Sequence, residues 1–152
     1  MLAHVIIAYL HYLGIMTLMA TLLAEYVTLQ PQMQRVHIRR LAITDLFSGI
    51  AAVVILITGL LRFAYFGKGT YFYLGNPLFY LKVGLFLLAA LISIYPTRRF
   101  LAWQKMLERD QLPAVELPGV TRLRSVIRLE LALLLVIPLL AVLMARGIGL
   151  TS

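Results

Sequence analysis

Four apolar runs, each long enough to cross a lipid bilayer, constrain this chain more than any other feature of its sequence. They extend over about residues 3–29, 45–66, 77–95 and 123–145. A transmembrane helix needs about 20 mainly apolar residues. The chain is 62% hydrophobic and only 13% charged, unlike a soluble domain. We therefore predict an all-α fold, a single integral membrane four-helix bundle that comprises residues 1–152.

Composition also restricts the function. The chain has no cysteine, which excludes thiolate metal sites, iron–sulfur clusters and thiol catalysis. Its net charge is +8, but the basic residues cluster in two loops, a pattern typical of membrane topology. We expect the lipid bilayer, and no nucleic acid, as a partner. The first residues lack a basic region, so we expect the first span to be retained and not cleaved as a signal peptide.

Loop charge predicts the orientation of the bundle. The first loop carries Arg35, Arg39 and Arg40, and the third carries six Lys or Arg residues between Arg98 and Arg124. The second loop carries only Lys68. Positively charged loops stay in the cytoplasm. We therefore predict that both termini and the second loop lie on the outer face.

The cytoplasmic loops are expected to contain short amphipathic segments at the membrane surface. Residues 31–43 are interpreted as an interfacial helix that ends before Thr44, the predicted N-cap of the second span. Pro96 is expected to kink or break the third span, and residues 98–107 are interpreted as a basic amphipathic helix near the membrane surface. Asn76–Pro77 has the residue types of an N-cap followed by the first helical position.

Ionisable side chains interrupt the first apolar run at His4, His11 and Glu25. Their spacing of seven and fourteen residues places them on one side of a helix. Hydrocarbon does not tolerate such a stripe, which must face protein, water or a bound group. With the predicted topology, the polar residues of the spans divide into an outer and an inner cluster.

The outer cluster suits a tetrapyrrole. It contains His4, His11, Arg62 and Lys82, with Asn76, Tyr9 and Tyr12 near them. A neutral imidazole is a good axial ligand for haem iron, and basic side chains suit haem propionates. We predict His11 as a candidate haem b ligand and Arg62 and Lys82 as cofactor-binding residues.

Two alternatives for the outer cluster stay open. His4 and His11 share one helix and cannot hold a haem from opposite faces, so the second ligand would be a methionine, Lys82 or none. Copper or another metal is the first alternative. In the second, His11 is hydrogen-bonded to another helix, while Arg62 and Lys82 extend to the lipid headgroups.

The inner cluster contains Glu25, Asp45, Arg98, Arg128 and Glu130. We predict structural ion pairs involving Glu25, Asp45, Arg128 and Glu130, because pairing neutralises charge within the membrane and joins helix ends. The alternative is a proton path or a quinone-head site at the cytoplasmic face.

Several short phrases occur together along the chain. They are the His11 region ending in Leu23-Ala24-Glu25, Gly59-Leu60-Leu61-Arg62, Gly67-Lys68-Gly69, Asn76-Pro77-Leu78-Phe79 with Lys82, Ser93-Ile94-Tyr95-Pro96-Thr97, Leu129-Glu130-Leu131 and Met144-Ala145-Arg146-Gly147. As a set, they resemble an uncharacterised bacterial family of predicted four-span inner-membrane proteins, a domain of unknown function. The resemblance covers nearly the whole chain and implies a multi-pass protein of the bacterial inner membrane.

The layout is also similar to a wider group of four-helix membrane proteins. That group includes the membrane protoporphyrinogen oxidase associated with haem b and the copper-resistance membrane domain. In the oxidase type, a His in the first span and a Lys in the third are functionally important; His11 and Lys82 occupy the matching positions here. This similarity implies haem b binding.

Three functional hypotheses follow. The first is a small redox-linked membrane protein that binds haem b through His11. The second is a non-enzymatic accessory or scaffold subunit, or a homo-oligomer, with a membrane protein as its partner. The third is a proton or small-solute pathway in which the two polar clusters act as gates. The sequence leaves open whether the protein is an enzyme.

Overall fold

The bundle is built from four long helices and one short helix in a computed structural model that describes residues 2–66 and 70–149. Lys68 and the Gly67–Gly69 phrase lie outside the described residues. The helices are α1 (Leu2–Thr28), α2 (Arg35–Leu61), α3 (Thr70–Leu74), α4 (Pro77–Glu108) and α5 (Leu117–Ala145), and a π-helical turn (Arg62–Phe66) continues α2.

Four of these helices are long and apolar enough to cross a membrane: α1, α2 with its π-helical turn, α4 and α5. No strand occurs in the part of the chain that the structure describes. The predicted all-α, four-span fold is confirmed. Its physical basis is that lipid offers backbone groups no hydrogen-bonding partner, so each span satisfies its own groups as a helix.

The helices form an up-and-down bundle in which each neighbour is antiparallel. α1 pairs with α2 and α4 with α5, while contacts of α2 with α4 and of α1 with α5 close the square. We call the end with connections 29–34 and 109–116 the arginine-rich end, and the other the terminal end. The core is most completely buried near the arginine-rich end, at Leu22, Leu29, Ile38, Leu41, Phe100, Leu123 and Ile127.

The second span begins earlier than predicted. Residues 31–43 do not form a separate interfacial helix, because α2 runs without a break from Arg35. The backbone N–H of Gln34 donates to His37 Nδ1, which caps the helix before Thr44. Ile38 and Leu41 are fully buried, so this segment packs into the bundle and does not lie on the lipid surface.

The predicted break at Pro96 is also wrong. α4 continues through Pro96 to Glu108 and includes the expected basic helix 98–107. Proline removes one backbone hydrogen bond, but neighbouring helices allow membrane helices to tolerate it, and Pro96 is buried here. The other end of α4 is as expected, since the Asn76 side chain accepts a hydrogen bond from the Leu78 N–H at 2.9 Å.

Candidate functional site

Three carboxylates from three helices lie inside the arginine-rich half of the bundle, and we call Glu25, Asp45 and Glu130 the inner carboxylate cluster. Each occupies a core position of its helix. Glu25 continues the buried stripe of Leu18 and Leu22 on α1. Asp45 follows Leu41 on the buried side of α2, and Glu130 lies between Ile127 and Leu134 on that of α5. Helical spacing of three and four residues therefore directs all three acids inward.

The three carboxylates differ in their hydrogen bonds. Glu25 is 1% exposed, and its Oε1 accepts a hydrogen bond from the Ser48 hydroxyl at 2.8 Å. Asp45 is 8% exposed, and its Oδ1 accepts from the Thr97 hydroxyl at 2.7 Å. Glu130 is 1% exposed, and neither of its oxygens has a partner within residues 2–66 and 70–149.

The predicted ion pairs are absent from the described residues. The one salt bridge there joins Arg35 to Asp110 at 2.6 Å, on the exposed surface. Arg128 is exposed and donates to Ser125. It lies two residues before the buried Glu130, and this spacing directs the two side chains to nearly opposite sides of α5. Glu25, Asp45 and Glu130 instead lie close enough together that their carboxylates repel one another when ionised.

A short chain of hydroxyl groups extends from Glu25 along the α1–α2 contact. The Ser48 hydroxyl lies 2.8 Å from both Glu25 Oε1 and Thr21 Oγ1. It has one proton and therefore donates to only one of them at a time. Thr21 in turn donates to the backbone carbonyl of Thr17 or Leu18. The direction of this chain depends on whether Glu25 carries a proton.

A cavity of about 240 Å³ lies beside the inner carboxylate cluster. All four long helices contribute to its largely apolar wall, and Asp45, Ser48 and Glu130 lie in that wall. Gly49 of α2 and Ala90 of α4 also line it and are exposed. The cavity therefore reaches the lipid-facing surface between α2 and α4.

The outer cluster is organised around His11. Its ring Nδ1 lies 2.9 Å from Thr58 Oγ1, and the single Thr58 proton is directed to the carbonyl of Val54. Thr58 therefore accepts from His11, which assigns the proton to Nδ1 and leaves Nε2 with a free lone pair. The ring packs beside Gly59, where a Cβ atom would come within 3.4 Å of it.

Arg62 and Lys82 lie over aromatic rings in this cluster. The Arg62 guanidinium is 5.5 Å from the centre of the Tyr12 ring. Lys82 Nζ is 5.3 Å from the centre of the Phe79 ring and 5.8 Å from that of Tyr73. Both positive charges act on the His11 ring. The structure thus brings together the three residues that the sequence singled out here.

The other expected members of the outer cluster have different roles. His4 makes an edge contact with Phe66, 4.9 Å between ring centres. Asn76 is fully buried, caps α4 and donates to the carbonyl of Ile148. Tyr9 is exposed on the surface of the bundle. No set of three or more His, Cys, Asp or Glu residues in the described chain is placed to hold a metal ion.

Sequence reasoning missed three hydroxyl residues that carry the hydrogen bonds of both clusters: Ser48, Thr58 and Thr97. A signal for one of them was present. Ser48 is three residues from Asp45, so both lie on the same side of α2. Nothing in the local sequence indicated that Thr58 would face His11 or that Thr97 would face Asp45, because both contacts join different helices.

Comparison with known proteins supports the membrane interpretation. Residues 3–149 match a family described as "Predicted membrane protein (DUF2214)". The chain belongs to this family. No curated protein and no solved structure matches the chain. The match agrees with the resemblance to an uncharacterised membrane family, while the similarity to the haem b oxidase group has no support from these comparisons.

Proposed function

We propose that this DUF2214 protein is a proton pathway whose inner carboxylate cluster binds and releases exchangeable protons. The observation that carries this proposal is Glu130, a fully buried carboxyl group with no hydrogen-bond partner in the described chain. Ionisable residues inside membrane spans are costly and commonly mark proton or substrate paths.

The cost of three buried negative charges supports the proposal. Removing one carboxylate from water without a partner costs several kcal/mol. Glu25 and Asp45 add repulsion because their charges act on Glu130. The cluster therefore needs compensating positive charge, and protons supply it without requiring any further side chain.

The hydroxyl chain offers a way for the bundle to respond to the proton. A protonated Glu25 donates to Ser48, which then donates to Thr21. An ionised Glu25 instead accepts a hydrogen bond from Ser48. The Ser48 hydroxyl oxygen lies 2.8 Å from both Glu25 Oε1 and Thr21 Oγ1, so either arrangement fits. Gain or loss of one proton thus switches a hydrogen bond between α1 and α2.

Loop charge sets the expected direction of access. Under the positive-inside rule, the arginine-rich end faces the cytoplasm of the bacterial inner membrane and both termini face outward. Glu25 lies in the last turn of α1 at that end. Protons then enter the cluster from the cytoplasmic side over a short distance.

Proton flux into liposomes tests the proposal. Purified protein is reconstituted with a trapped pH-sensitive dye, a pH difference is imposed, and potassium with valinomycin clamps the membrane potential. We expect Glu130-dependent flux that falls to the level of protein-free liposomes in Glu130→Gln. The matched control is Arg128→Gln, an exposed position on the same helix, which should keep the flux. Wild-type flux equal to that of empty liposomes contradicts the proposal.

A second candidate function is haem b binding by the outer cluster. It is favoured by His11, whose hydrogen bond to Thr58 leaves Nε2 available as a ligand atom, the arrangement of a ligating histidine with its other nitrogen held. Arg62 and Lys82 would hold anionic groups of the cofactor. Haem b would supply one-electron chemistry. The cavity described above is lined by Glu130 and not by His11, and we therefore rank this candidate second.

The absorption spectrum of the purified, dithionite-reduced protein tests haem binding. We expect an α-band that His11→Ala abolishes and Thr58→Val weakens. A colourless, fully folded preparation from haem-sufficient cells contradicts this candidate. A partner subunit or a second copy of the chain stays a prediction, which the mass of the protein in detergent tests.

A further inference from the structure

We infer that the cavity beside Glu130 is a binding site for a small lipophilic amine, whose protonated nitrogen pairs with the Glu130 carboxylate. This inference rests on the proposed proton site and names the ligand class for it.

The cavity combines an apolar wall with one uncompensated acid. Its polar lining residues are Asp45, Ser48, Ser93, Thr97, Arg98 and Glu130, and the rest of the wall is mainly Leu, Ala, Phe and Ile. Asp45 already accepts from Thr97, whereas both oxygens of Glu130 are free in residues 2–66 and 70–149. Glu130 is thus the buried acid in this wall that accepts no hydrogen bond from the described residues.

The charge and the ligand set favour an organic cation over a metal ion. Magnesium takes six oxygen ligands in octahedral geometry and calcium takes six to eight in a more flexible one, and no described group of acids and histidines is arranged to hold a metal ion. An ammonium group carries one positive charge and donates hydrogen bonds without accepting any. It therefore complements a carboxylate that has no donor.

The shape and position of the cavity favour a small ligand that arrives from the bilayer. Its volume of about 240 Å³ is below the range of roughly 300–1,000 Å³ for drug-sized ligands. It reaches the surface between α2 and α4 at Gly49 and Ala90, both exposed. A molecule dissolved in the hydrocarbon would enter here with its apolar part toward the wall and its nitrogen toward Glu130.

Binding is coupled to proton release. In water the amine is an ammonium ion, and it releases one proton to the aqueous phase when it enters the hydrocarbon as the neutral amine. In the cavity its nitrogen takes the proton of the Glu130 carboxyl, which leaves an ammonium ion paired with a carboxylate and one proton released for each amine bound. The charged groups around this exchange are Glu25 of α1, Asp45 of α2 and Arg98 of α4, with Glu130 on α5. The negative charges of Glu25 and Asp45 favour binding of the cation. Arg98 is exposed, so water and lipid headgroups solvate its positive charge.

Calorimetry of the full chain in detergent tests the inference, with phenethylammonium as the probe and 2-phenylethanol as its neutral analogue. We expect phenethylammonium to bind and 2-phenylethanol not to. Release of one proton per amine should appear in a weakly buffered dye assay. Because one proton is released for each amine bound, the affinity for phenethylammonium should rise about tenfold for each unit increase in pH.

Two variants make the result specific. Glu130→Gln should weaken phenethylammonium binding at least about thirtyfold, the effect of removing one partner of a buried charge pair, while Arg128→Gln should bind like the wild type. If Glu130→Gln does not fold, Ala52→Leu replaces it, because this substitution fills the cavity wall and leaves every carboxylate in place. It should also abolish binding.

The outcomes separate this inference from the proposed function. Equal affinity for the amine and the alcohol, binding without proton release, or wild-type binding by Ala52→Leu each overturn the amine site. Glu130-dependent proton flux without amine binding overturns the amine site and leaves the proton pathway standing. Amine binding that depends on Glu130, without proton flux in liposomes, supports the amine site and contradicts the pathway.

Discussion

The two polar clusters of this bundle contain side chains of opposite charge, and these side chains differ in the contacts that stabilise them. In the outer cluster, Arg62 and Lys82 lie over aromatic rings, and His11 bonds Thr58. In the inner cluster, Glu130 has no described partner. The sequence sharpens this contrast, because its six acidic residues, Glu25, Asp45, Glu108, Asp110, Glu116 and Glu130, all belong to the arginine-rich half.

The difference follows from the side chains themselves. Arg and Lys have long apolar stems that reach the membrane surface, and aromatic faces attract their charges. A glutamate on a buried helix face has a side chain too short to reach the membrane surface, and an apolar wall provides neither a hydrogen-bond donor nor a positive charge. The outer cations are therefore compatible with a purely structural role, whereas the inner carboxylates call for a proton or a bound cation.

The largest expected effect on stability is at Gly14, which lies on α1 between the two clusters. A Cβ atom there would come within 2.9 Å of Ile55 Cγ1. Gly14→Leu adds four carbon atoms to this contact and should therefore separate α1 from α2 at a cost of about 3 kcal/mol or more, measured by unfolding in mixed detergent. Gly84→Leu is the control, since its added Cβ meets nothing within 4 Å. Equal stability of both variants would contradict the close α1–α2 contact.

A smaller effect compares the hydroxyl groups that serve each cluster. Ser48→Ala leaves the fully buried Glu25 without its donor, and Thr58→Val leaves His11 without its acceptor. A buried polar group that loses its partner costs about 1–3 kcal/mol. We expect Ser48→Ala to lie at the upper end and Thr58→Val at the lower, because Glu25 is fully buried whereas His11 is only partly buried. The reverse order in unfolding experiments would contradict the contrast between the clusters.

The smallest expected effect is at Arg62. Arg62→Gln removes its charge from the face of Tyr12, and a cation–π contact is worth about 0.5–1 kcal/mol at an exposed site. Tyr12→Leu should cost a similar amount, and the double variant should cost less than the sum of the two. Additive losses in this double-mutant cycle would show that the ring does not stabilise the cation.

Much of the fold could be predicted from the sequence because it depends on local features of the chain. Length and hydropathy specify a membrane helix without reference to any neighbour, so four spans follow from four apolar runs. Asn76–Pro77 specifies a helix start through its own backbone chemistry, and the structure confirms it. Helical spacing also places Glu25 on the same stripe as Leu18.

What needed the tertiary structure was everything that depends on which helix lies opposite. The 31–43 segment joins α2 because Ile38 and Leu41 find buried positions, and Pro96 stays helical inside a packed bundle. Ser48 and Thr97 supply the hydrogen-bond donors to Glu25 and Asp45, whereas the opposite placement of Arg128 and Glu130 already followed from their spacing of two residues. By itself, the sequence determined a four-span bundle with two charged regions. Only the packing of α5 against the other helices decided that Glu130 is buried without a partner, because burial and pairing are properties of contacts between helices.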